Sequence, residues 1–307
     1  MRPIPLPPRW LAALLLASTL CGLSSPALAV VRRHDVDDAD YIALGSPANF
    51  PASGFITAGN GALLGGTLID PLYFVTAAHI SGDIVPGVTT FTIGGAAYVI
   101  AEQRPHPSFN STGKFENDIN VVRLATAVGN VTPTPYNMGL PELGSTATTI
   151  GYGQTGTGLT GSTGPAGQRR GAQNVVDLIG DGAVFPPTAF LADFDNPTPA
   201  GAIRDNSLGA PTALAFEGTL ALFDSGGGVY ANLGTGRVLI GINSFTASVD
   251  GTPNNDYSDL FGATRVGLYS DYIAMNVPEP STAVLTLIAS VLSAGVVRRR
   301  TRTATGS

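Results

Sequence analysis

Hydrophobic residues along this chain come in short bursts, not in long helical stripes. Thr90-Phe91-Thr92-Ile93 alternates polar and apolar with a period of two, which predicts a strand with one buried face. Gly65-Gly66-Thr67-Leu68-Ile69, Tyr73-Phe74-Val75-Thr76, Asn120-Val121-Val122-Arg123-Leu124 and Val238-Leu239-Ile240 are apolar runs of strand length. Turn formers separate them, and the chain holds 39 glycines and 23 prolines. Helical periodicity is absent outside the two ends, so an all-β fold is expected. Without those ends about 250 residues are left, enough for one large core or two small ones packed together.

The apolar stretches at the ends differ in kind. Met1 to Ala29 has Arg2 and Arg9, then an apolar stretch from Trp10 to Leu20, then Ala27-Leu28-Ala29. This is the layout of a secretory signal peptide over 1–29, with cleavage after Ala29. The only cysteine, Cys21, lies inside it, so the exported body would hold no disulfide. At the other end, Val277-Pro278-Glu279-Pro280-Ser281 leads into an apolar run from Thr282 to Val297, followed by Arg298-Arg299-Arg300. A plain membrane anchor with its arginines in the cytoplasm is one reading. The order of Pro-Glu-Pro, apolar span and arginine cluster over 277–307 resembles the PEP-CTERM sorting signal of Gram-negative bacteria. That resemblance implies signal peptidase and an exosortase as partners in export. It also implies transient membrane insertion of the span and delivery to the cell surface or extracellular matrix.

Between Val30 and Asn276 there are 21 acidic against 10 basic residues, a net charge near −11. A surface this acidic argues against a nucleic-acid partner. Gly151-Tyr152-Gly153-Gln154-Thr155-Gly156 matches a dinucleotide fingerprint only formally, because no helical pattern follows it. Asp35, Asp37, Asp38 and Asp40 lack the glycine and closing glutamate of a calcium loop, and read as a solvated acidic segment. Gly153 to Gly171, rich in Gly, Thr and Ser, reads as a long exposed loop whose Arg169-Arg170 pair is a candidate processing site. No cofactor and no metal is expected.

Three segments carry candidate chemistry: Val75-Thr76-Ala77-Ala78-His79, Asn117-Asp118-Ile119-Asn120 and Asp224-Ser225-Gly226-Gly227. A histidine, an aspartate and a serine together make a hydroxyl nucleophilic: imidazole takes its proton, and carboxylate orients the imidazole and stabilises its charged form. Each has an ordinary reading alone: an edge histidine, a turn aspartate, a glycine-rich turn. The α/β-hydrolase order Ser, Asp, His is not matched, nor is its G-x-S-x-G elbow, since Phe223 stands two before Ser225.

In this order the three motifs resemble the chymotrypsin/trypsin-like serine protease family. Ile150-Gly151-Tyr152-Gly153, Ile242-Asn243-Ser244-Phe245, Gly262 to Val266 and Tyr272-Ile273 extend the resemblance over about Val30 to Asn276. It implies two packed antiparallel β-barrels, about 30–135 and 136–276, a short C-terminal helix, and an active site in the cleft between barrels. It implies catalytic His79, Asp118 and Ser225, an oxyanion hole from the backbone N–H groups of Phe223 and Ser225, and a structural ion pair at Asp224 with a newly cut N-terminus. Substrate would be held by Thr219, at the pocket floor, and by Ser244, Phe245 and Thr246 along its wall. Thr219 carries no charge, which favours small or medium uncharged residues before the cut, unless Asp256 or Asp259 reaches into the pocket. Two departures stand out. Phe223 replaces a glycine, and Val30-Val31 lacks the usual glycines after the cut. The implied function is a secreted serine endopeptidase acting on proteins or peptides. The alternative is a protease-fold binding or matrix protein whose catalysis is weakened by Phe223.

Overall fold

Six of the short apolar runs close on one another as an antiparallel barrel in the computed structural model, which describes residues 29–278 except 111, 113, 199–206, 210–211, 235, 249 and 253. Around the barrel the order is Ser53–Thr57, Leu63–Asp70, Tyr73–Thr76, Asn120–Leu124, Ala96–Pro105 and Thr90–Ile93. The period-two reading holds: Phe91 and Ile93 are buried, whereas Thr90 and Thr92 are half-exposed. Ile56, Leu68, Phe74, Ile100 and Val122 fill the interior with them, and the Phe74 and Phe91 rings stack 4.0 Å apart. Burying side chains of this size stabilises by about 1.5–3 kcal/mol each.

The second half supplies the other member of the expected pair as a half-barrel. It is a seven-stranded antiparallel sheet ordered Arg170–Val175, Thr146–Gly151, Gly228–Asn232, Arg237–Ala247, Leu260–Arg265, Ala189–Asp193 and Leu178–Ile179. Register shifts at Val229/Tyr230 and Asn243/Phe245 bend its long central strands. The sheet therefore curls into a half-barrel, and Asn174 Nδ2, on one edge strand, reaches across the curl to donate to the Asp193 carbonyl. Phe190, Leu220, Val229, Ile240 and Phe261 pack inside the curl. The helix Ser270–Asn276 closes the described chain, as expected.

Two readings of surface segments are refined. The acidic segment is solvated at Asp35, Asp37 and Asp40, as expected, but it also forms the helix Asp38–Leu44, which buries Tyr41. Arg170 is no processing site: it starts a strand, is fully buried, and donates to both carboxylate oxygens of Asp38. Arg169 spends its guanidinium on the carbonyls of Gly45, Ser53 and Phe50, fastening the second half to the first. An arginine pair looks exposed in sequence because burial of a cation depends on partners that lie far away along the chain.

Val31–Arg32 pairs with Gly218–Thr219 on one side and Gly156–Thr157 on the other, so the N-terminal segment is built into the second half. The expected leader up to Leu28 and the tail from Glu279 lie outside the described residues. Among the described residues no helix is long and apolar enough to cross a membrane.

Candidate active site

Strand pairing brings the first two catalytic candidates together. Thr76 and Asn120 are paired at neighbouring strand ends, so His79, in the turn Ala78–Asp83, and Asp118, just before its strand, emerge side by side. Asp118 is fully buried. Its Oδ1 accepts the His79 backbone N–H at 2.8 Å, and its Oδ2 lies 2.7 Å from His79 Nδ1. Ser244 Oγ donates to the same Oδ2 at 2.5 Å. A carboxylate at Nδ1 keeps the proton there and leaves the Nε2 lone pair free to accept. Ser225 Oγ sits 2.8 Å from that Nε2. The Phe115 ring stands edge-on to the imidazole, with centroids 5.4 Å apart, and screens one side of it.

The Ser225 turn reaches the barrel through backbone contact. Gly65 N–H donates to the Ser225 carbonyl at 2.8 Å. A Cβ on Gly65 would stand 2.3 Å from Gly227 Cα, and one on Gly227 would stand 2.1 Å from the Ile150 carbonyl oxygen, so both positions require glycine. Phe223 takes φ +77°, the left-handed region in which a Cβ costs roughly 1–2 kcal/mol. Its half-buried ring packs on the barrel core and compensates. Asp224 N–H turns back to the Ala221 carbonyl at 3.1 Å. The N–H groups of Phe223 and Ser225 have no hydrogen-bond partner among the described residues.

Asp224 is buried, and no cation pairs with it among the described residues. With Val30 still joined to Ala29, the Asp224 carboxylate is held by backbone donors: Gly153 N–H at 2.7 Å, Ala221 N–H at 2.8 Å, and the N–H groups of Val30 and Tyr152. Burial raises its pKa from 3.8 to about 7, against the pull of those donors.

A cleft of about 500 Å³ runs beside Ser225. Ser244, Phe245 and Thr246 line it, as the sequence suggests. Thr219 does not: it is fully buried, paired with Val31 across neighbouring strands, and Leu220 and Ala221 line the cleft instead. Asp256 and Asp259 do not line the cleft either. They sit buried behind it, accepting from Asn254 Nδ2 and Asn255 N–H. Three cleft residues, Gln154, Ser162 and Asn255, were not anticipated. They come from two loops whose composition carries no marker of chemistry, and only the path of those loops brings them here. Among the described residues no group of three or more His, Cys, Asp or Glu side chains is placed to hold a metal ion.

Known proteins resemble this chain in part. Residues 44–174 match the trypsin family model. The inactive CLIP domain-containing serine protease A3 of Aedes aegypti is 32% identical over 152 residues, covering 44% of this chain and 31% of that protein. The chain thus spans about a third of the length of this curated relative. The solved structure of HL collagenase superposes with a TM-score of 0.51 at 19% identity, covering 74% of this chain and 93% of its own. That likeness shows the chymotrypsin-like fold, and with the family match it supports a trypsin-family domain.

Proposed function

We propose that this protein is a trypsin-like serine endopeptidase. The observation that carries the reading is the unbroken hydrogen-bond chain from Asp118 through His79 to Ser225. Ser225 Oγ attacks the peptide carbonyl carbon while His79 Nε2 takes its proton, and Asp118 holds the resulting imidazolium. The tetrahedral oxyanion is received by the N–H groups of Phe223 and Ser225, which have no other partner among the described residues. Collapse breaks the C–N bond, and Nε2 returns the proton to the leaving amine. An acyl ester is left on Ser225, and water, deprotonated by the same imidazole, hydrolyses it.

A second reading, a protease-fold binding protein, is favoured by Phe223 at a strained φ of +77° and by the inactive status in the relative's name. A fluorophosphonate probe separates the two. The enzyme is labelled at Ser225, and Ser225→Ala abolishes both labelling and casein hydrolysis, the latter by about 10⁶ in turnover. Folded protein that resists the probe would establish the binder.

Export completes the proposal. Cleavage after Ala29 would turn the Val30 N–H, already directed at Asp224, into an ammonium that pairs with it. The Pro-Glu-Pro tail would direct the protein through an exosortase to the cell surface or extracellular matrix of a Gram-negative bacterium. Intact-mass analysis of exported protein should show Val30 as first residue and loss of the tail. A mature form that keeps Ala29 would refute the activation step.

A further inference from the structure

We propose that the cleft beside Ser225 selects a side-chain carboxamide, glutamine or asparagine, on the acyl side of the cleaved bond. This rests on the serine endopeptidase reading and adds the substrate class. Apart from His79, the one ionisable group on the cleft wall is Asp224, and its oxygens are held by Gly153 and Ala221 N–H. An arginine or lysine entering the cleft therefore meets no free carboxylate, and an unpaired buried cation is strongly disfavoured.

The uncharged polar groups divide into engaged and available ones. Ser244 is committed to Asp118, and Asn243 to Thr149, Ile150 and Asp224. Asn255 is 8% exposed, with its Nδ2 donating to Ser162 Oγ at 3.0 Å. Its Oδ1 accepts nothing among the described residues, and it is not sealed among the buried unpartnered atoms, so it opens on the cleft. Ser162 accepts from Asn255 and keeps its own O–H to donate. The Gln154 side chain makes no hydrogen bond among the described residues, while its backbone N–H is anchored on the Leu222 carbonyl.

The wall thus offers one fixed acceptor, Asn255 Oδ1, beside a donor from Ser162 and the amide of Gln154. A carboxamide matches both kinds at once, with NH₂ to Asn255 and C=O to Ser162 or Gln154. Its methylenes lie against Leu220 and Phe245, which are also on the wall. An aliphatic side chain of equal size would displace water from these groups and leave them unpaired, the strongest form of discrimination open to a neutral pocket. Asn255 is held in this pose by its N–H on Asp259 Oδ2 at 2.9 Å and by φ +62°, a region asparagine tolerates better than most residues.

The test uses the full mature protein, a fluorophosphonate probe, and fluorogenic peptides differing only at the residue before the cut: Gln, Asn, Met, Leu, Arg and Glu. Gln or Asn should exceed Met and Leu at least tenfold in kcat/KM, and Arg by more. Asn255→Asp, which keeps shape and tolerates the same φ, should move the preference towards Arg. Gln154→Met, on the half-exposed rim, should lower the advantage of Gln over Met several-fold. Labelled enzyme that prefers Leu, Met or Arg, or cleaves neither Gln nor Asn peptides, overturns the carboxamide assignment and leaves the endopeptidase reading standing. Absence of both labelling and cleavage overturns the endopeptidase reading and this one with it.

Discussion

Phe223 occupies the one position where the backbone works against its own side chain. At φ +77° a residue with a Cβ is strained, yet this conformation leaves the N–H groups at 223 and 225 without internal partners. Glycine would adopt the same backbone without strain but would lose the ring's packing on the barrel core. Phe223→Gly is therefore expected to leave turnover within a few-fold of the parent, with stability changed by no more than about 1 kcal/mol because relief and lost packing oppose each other. Steady-state kinetics and urea unfolding measure the two effects. A hundredfold fall in turnover would mean that the ring itself holds the turn open. Ser244 is the second informative residue here. Its hydroxyl is spent on Asp118, so its first effect is on the orientation of His79 and not on the substrate.

At the level of elements, two arginines next to each other in sequence tie three segments together. Arg169 satisfies carbonyls at Gly45, Phe50 and Ser53, and Arg170 anchors the helix Asp38–Leu44 through Asp38. Arg170 is fully buried, while Asp38 remains partly open to water, so removing the cation strands less charge than in a fully dry pair. Arg170→Ala should still cost about 3 kcal/mol through the cavity and the broken pair. Chemical denaturation gives the number, and a loss below about 1 kcal/mol would mean that Tyr41 and the Arg32–Asp38 pair hold the helix without Arg170. The neighbouring strand Val31–Arg32 pairs with Gly218–Thr219 directly ahead of the Ser225 turn. The N-terminal segment thus braces the strand that leads into the catalytic turn.

Across the whole molecule, buried carboxyls set the response to pH. Burial lifts Glu217 from 4.5 to about 9, with Asp195, Asp193 and Asp177 adding to the rise, and Leu214 N–H opposing it. Burial likewise lifts Asp195 from 3.8 to about 8, helped by Asp193 and Asp177, and Asp224 to about 7. A carboxyl with a raised folded pKa holds its proton more tightly in the fold than in the unfolded chain. Its contribution is therefore fully present below about pH 4 and is lost as pH climbs through the folded values of about 7 to 9. The melting temperature should be lower at pH 9 than at pH 5, and Glu217→Gln should flatten the alkaline part of the curve. A melting temperature that rises steadily from pH 5 to 9 would contradict the burial of these groups. No disulfide offsets the loss, because the only cysteine is Cys21.

Strand alternation, the turn residues between strands, and the order of His79, Asp118 and Ser225 were all legible along the chain. They are local properties: a strand records its buried face every second residue, and a nucleophile, a base and an orienter must each be a particular residue type. Convergence is not local. Ser244 reads as a pocket residue, yet register across Arg237–Ala247 and its neighbours turns its hydroxyl onto Asp118. Thr219 counts as a pocket floor by its distance from Ser225, but pairing with Val31 buries it. The strand bulges that leave the second half an open curl, the burial of Arg170, and the meeting of Gln154, Ser162 and Asn255 in one cleft have the same origin. They depend on strand register and loop path, which come from packing across the whole chain, whereas periodicity reports only whether each residue is in or out.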